Sequence, residues 1–178
     1  MARYARIPLV LSAVGFLLSF VSHVCALIGR PGPLGEFSWL LHIGIFVVWL
    51  PAVLAGQVLA HQTPPADLWK TVLRGCPAWM KAVAPALFFY AFINFFVSFA
   101  DSPETDPAPG PMPAGVVRGF SGHWMLFYGL AFAILYSFIR IKVALPPSRM
   151  CSYGHPVHES SSVCEQCGAS ASHNTVRA

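Results

Sequence analysis

Near the C-terminus, Cys151-Ser-Tyr-Gly-His155-Pro-Val-His158 is followed by Cys164-Glu-Gln-Cys167-Gly168, a spacing of C-x3-H-x8-C-x2-C. Thiolate sulfur and imidazole nitrogen are donors that Zn²⁺ favours, and it takes four of them in a tetrahedron. Two cysteines separated by two residues, with Gly168 behind them, suit a tight turn that aims both sulfurs at one ion. His155 and His158 compete for the imidazole position. The segment is too short to bury a core of its own, so it needs an ion to fold.

The stretch from Cys151 to Gly168 resembles the short zinc-ribbon tails of many bacterial membrane and regulatory proteins, in which a Cys-x-x-Gly-His turn precedes a Cys-x-x-Cys-Gly turn. The resemblance implies structural zinc held by Cys151, His155, Cys164 and Cys167. It departs from the commoner four-cysteine ribbon because Gly154 stands where a second thiol would be. His155, on the turn beside Gly154, is preferred over His158. With Glu159 and Glu165 and few basic residues, the ribbon lacks the footprint of a nucleic-acid binder, and protein contact is the better expectation.

The rest of the chain is of another kind. Of the 178 residues, 56% are apolar and 10% charged, a balance that points to lipid. A bilayer core about 30 Å thick needs roughly 20 apolar residues at about 1.5 Å rise each. Four such runs occur, at about 7–28, 37–60, 82–100 and 122–144, none containing an acidic residue. They are apolar on every side, unlike the striped surface helices of soluble proteins. The first run follows Arg3 and Arg6 as a signal peptide would, but it is too long for a signal h-region and leads directly into a second span. The fold class expected is an all-α four-helix transmembrane bundle (1–145), then a linker (146–150), the ribbon (151–168) and a disordered tail (169–178).

Basic residues near span ends are retained in the cytoplasm. Arg3, Arg6, Lys70, Arg74, Lys81, Arg140, Lys142, Arg149 and Arg177 fall on one side of a four-span chain, with only Arg30 and Arg118 on the other. Both termini are therefore expected in the cytoplasm of a bacterial plasma (inner) membrane, with anionic lipid headgroups as partners of the basic residues. In that reducing compartment a disulfide is disfavoured and a metal preferred for the C-terminal cysteines.

Residues 64–76 place Leu68, Trp69, Val72, Leu73 and Cys76 at helical spacing, opposite Lys70, Thr71 and Arg74, which predicts an interfacial helix with Thr63 as its N-cap. Pro77 then opens the third span. The segment Asp101 to Gly119, with Pro103, Pro107, Pro109, Pro111 and Pro113, is expected to run extended as an outer tether. Gly15/Ser19, Ala52/Gly56/Ala60 and Gly129/Ala133/Ser137 offer small faces for close packing, and Tyr90, Asn94 and Ser98 form a polar row expected to face the interior.

His23, His42 and His123 share the outer level of three spans. Converging imidazoles could bind a metal or haem iron, whereas histidines near the interface, like Trp39 and Trp124 beside them, need no ligand. The leading reading is a non-enzymatic membrane protein presenting a zinc ribbon to the cytoplasm as an accessory or protein-interaction subunit. The alternative is a small redox or metal-handling protein using the outer histidines. A transporter is weaker, since the spans hold no carboxylate. No hydrolase triad, phosphate-cradling loop or small-molecule substrate is indicated. Reporter fusions at Ala178 and within residues 101–119 should report opposite compartments, and the same compartment for both would sink the four-span reading.

Overall fold

The computed structural model of the chain describes residues 5–30, 32–61, 63–100, 113–141, 149–153, 155–157, 162–164 and 166–170. The chain divides into two compact units, Met1–Ile141 and Lys142–Ala178. Most of the tether (101–112), the linker residues 146–148, Gly154, His158 and the tail from Ala171 onward lie outside the described residues.

The first unit is helical: α1 (Arg6–Leu27), α2 (Trp39–Leu59, preceded by a 3-10 turn at Gly35–Ser38), α3 (Leu68–Val72), α4 (Ala78–Ala100) and α5 (Ala114–Ile141). Four of these helices are long and apolar enough to cross a membrane; the shortest, α2, spans about 31 Å at 1.5 Å per residue. Large apolar side chains such as Phe46, Leu50, Phe89 and Ile93 stand more than half exposed on their outer faces, a surface suited to hydrocarbon rather than water.

The four long helices do not contribute equally. α5 packs against α1, α4 and α2, while α1 and α2 share a shorter seam. Half of the α5 span is buried, against 22% to 33% for the others, so α5 is the axis on which the unit is built. In lipid, helices associate through close packing and hydrogen bonds, because burying apolar surface away from lipid gains little. Close approach is achieved at Gly15, where any Cβ would fall on the Tyr128 ring, and at Gly44, where it would meet the Tyr128 hydroxyl. That hydroxyl donates to the Leu41 carbonyl at 2.9 Å. One α5 side chain thus joins α1 and α2. Two α1 hydroxyls on this face are satisfied locally, Ser12 donating to the Pro8 carbonyl and Ser19 to the Gly15 carbonyl, each at 2.7 Å.

Several expectations need correction. The segment 114–119 is helical, because Pro113 sits at the start of α5, where its missing N–H is harmless, and its carbonyl accepts from the Val117 N–H at 3.0 Å. On α2 the buried face runs through Leu41, Ile45, Val48, Ala52, Ala55 and Leu59, with Gly56 and Ala60 only half-buried. The interfacial helix is shorter than 64–76. A 3-10 turn at Pro65–Asp67 leads into α3, which ends at Val72; Gly75 then lies against the Ser137 backbone too closely for any side chain. The Gly75 N–H donates to Ser137 Oγ at 3.0 Å and the Cys76 thiol to the Ala133 carbonyl at 3.1 Å, clamping the connector to the end of α5. Neither the 3-10 turn nor α3 carries a side-chain cap, and Thr63 instead closes the turn after α2 through its backbone.

Gly15→Ala should lower stability in detergent by about 1–3 kcal/mol through overpacking. Combined with Tyr128→Leu, which removes the ring, the cost should be less than the sum of the two single changes. Additive costs in thermal unfolding would show that the ring and the glycine are not coupled.

Candidate metal centre

In the second unit, β1 (Arg149–Met150) pairs antiparallel with β2 (Pro156–Val157), Arg149 opposite Val157 and Met150 opposite Pro156. The strand pairing therefore begins within the stretch expected to be linker. The intervening turn carries Cys151 and His155: the Cys151 N–H donates to the His155 carbonyl at 3.0 Å, and the His155 N–H donates back to Cys151 Sγ at 3.4 Å. A second turn carries Cys164 and Cys167. Gly168, at φ +69°, lets the chain reverse there, its N–H donating to the Cys164 carbonyl at 2.8 Å. The Cys164 N–H donates to the Ala169 carbonyl at 2.8 Å and Val163 bridges Ser170, so the fold reaches into residues expected to be tail.

These turns bring one donor atom from each of Cys151, His155, Cys164 and Cys167 within 4.8 Å of one another. Cys151 Sγ lies 3.5 Å from Cys167 Sγ, and Cys164 Sγ 3.9 Å from His155 Nδ1. A tetrahedron with sulfurs about 2.3 Å from its centre has edges of about 3.8 Å, so the group matches the spacing a metal ion requires. All five cysteines of the chain are free thiols. Cys151 and Cys164 are buried and pack with Val157 and Ala169, while Cys167 is exposed.

The donors are electrically unequal. Burial pushes the Cys151 thiol up, but the N–H groups of His155 and Tyr153, with the thiols of Cys167 and Cys164, outweigh it and bring it down to about 6. The Ala169 N–H pulls the Cys167 thiol down; desolvation and the neighbouring Cys164 and Cys151 outweigh that and hold it above its ordinary value.

The outer histidines are not brought together. His23 is buried, with Nδ1 2.8 Å from Ser121 Oγ and Nε2 hydrogen-bonded with the Tyr90 hydroxyl, so both ring nitrogens already have partners. His42 Nδ1 accepts from Trp124 Nε1 at 3.2 Å. His123 packs edge-on against Phe95. Among the described residues, the C-terminal group is the one cluster of three or more such side chains placed to hold a metal ion. Trp124, expected at the interface, is fully buried.

Asn94 and Ser98 of the polar row are buried as expected. Asn94 Nδ2 donates to the Arg118 carbonyl at 2.8 Å, and Ser121 Oγ donates to the same carbonyl at 3.1 Å. Ser121 and Arg118 were missed as partners because they fell within or beside the segment read as a tether. A helical reading from Pro113 onward would have placed both on one turn.

Comparison with protein-family models, with curated proteins and with solved structures finds no match for the chain.

Gly168→Ala leaves every donor atom in place but forces a left-handed backbone that costs an L-residue about 1–2 kcal/mol. Metal affinity, read from Co²⁺ absorbance against a competing chelator, should fall about five- to thirtyfold. Unchanged affinity would show that this turn does not set the site.

Proposed function

We propose that this chain is a multi-pass protein of the cytoplasmic (inner) membrane that presents a structural zinc site to the cytoplasm and serves as an accessory or protein-interaction subunit. The observation that carries the reading is the gathering of three sulfurs and one imidazole nitrogen within 4.8 Å. A set of four protein donors leaves no open coordination position for a substrate, which is the pattern of a structural rather than a catalytic zinc. Soft thiolates and an imidazole favour Zn²⁺ over Mg²⁺ or Ca²⁺, which take oxygen. The resemblance to bacterial zinc-ribbon tails points the same way.

The cytoplasmic placement rests on the basic residues. Nine of the eleven fall on the side that holds both termini. A zinc-stabilised knuckle there has a rigid surface without a basic footprint, which suits protein contact better than nucleic acid.

Elemental analysis of the detergent-purified full chain should find one zinc per chain. Cys164→Ser or Cys167→Ser should abolish it, and His155→Ala should reduce it more than His158→Ala. Full zinc occupancy in the Cys164→Ser, Cys167→Ser double variant would overturn the reading.

A further inference from the structure

A cavity of about 490 Å³ opens between α3, α4 and α5. Its walls are apolar, formed by Trp69, Leu73, Pro85, Phe88 and Leu130, and its two charged lining residues are Lys70 and Lys81. Lys81 lies one turn into α4, and Phe88 stands about 10 Å further along that helix axis. The cavity therefore runs from a cationic mouth at the helix end to an apolar floor within the span. Pro85 has no N–H to offer the Lys81 carbonyl, and this loosens the helix wall at that level.

The charges at the mouth are only partly balanced. Among the described residues the one ion pair is Lys70 with Asp67, at 2.9 Å and largely exposed. Lys81 makes none, and Arg74 adds a further exposed cation to the same connector.

We propose that this cavity is a binding site for one anionic phospholipid, its phosphate held by Lys70 and Lys81 and an acyl chain lying along Phe88 and Leu130. Cations at one end and an apolar trough along the length complement an amphiphile of opposite charge. An inserted extended polypeptide would need hydrogen-bonding partners for its backbone, and the apolar walls offer none. The site is independent of the zinc reading and of which compartment holds the termini, and requires only that the four long helices span a bilayer.

The test is native mass spectrometry of the detergent-solubilised full chain, titrated with phosphatidylglycerol and phosphatidylcholine of identical acyl chains. One phosphatidylglycerol should bind per chain at least about tenfold more tightly than phosphatidylcholine, the scale expected for two basic residues at a membrane surface. Lys70→Gln with Lys81→Gln should remove that preference, and Lys70→Arg with Lys81→Arg should keep it. Both lysines are exposed, so the substitutions do not disturb the core. Arg6→Gln with Arg140→Gln removes equal charge at other helix ends and should keep the preference. The proposal is overturned by equal affinity for the two lipids, by persistence of the preference without both lysines, or by its loss in the arginine pair. It is also overturned if inorganic phosphate displaces the lipid as well as free phosphatidylglycerol does, because the apolar trough would then contribute nothing.

Discussion

Helices surrounded by hydrocarbon gain little from hiding apolar side chains, so the membrane unit depends on how closely its backbones can approach. The closest approach is at Gly15, where the Tyr128 ring of α5 lies against the α1 backbone while its hydroxyl reaches the Leu41 carbonyl of α2. Tyr128 can do both only because Gly15 and Gly44 lack side chains. With α1 and α2 drawn onto α5 in this way, His23 meets Ser121 and Trp124 meets His42, and both pairings bury polar groups with partners. The connector obeys the same rule at the other end of α5, where Gly75 admits the hydrogen bond to Ser137.

Among the described residues, the second unit has no such packing to rely on. Its buried cluster is Cys151, Val157 and Cys164, with Ala169 against it, and two of those residues are donor atoms of the candidate metal site. The interactions that define its shape are a two-residue strand pair and two tight turns. Under the proposed reading, an ion replaces the missing core, and binding and folding of this segment are one event.

The parts of the structure most legible from residue order were those whose determinants are local. Spanning helices announce themselves by length and apolarity, and α1 lies within a residue of its expected ends. The four side chains that gather within 4.8 Å could be named because both turns are short and each carries its own pair. The start of α5 was missed because Pro113 ends a proline-rich run and also begins a helix, and residues 114–119 were assigned to the former. Trp124 looked like an interface anchor because aromatic residues near span ends usually are. Its burial depends on His42, 82 positions away, offering an acceptor. The His23 network was visible only as a shared level in the membrane, since its partners lie 67 and 98 positions distant on two other helices.

The central claim concerns the ligands of a single ion, and X-ray absorption at the metal edge of the purified full chain addresses them directly. The account predicts three sulfur neighbours at about 2.3 Å and one nitrogen at about 2.0–2.1 Å from zinc, with no fifth ligand. A first shell made of oxygen and nitrogen, or one lacking sulfur, would contradict it.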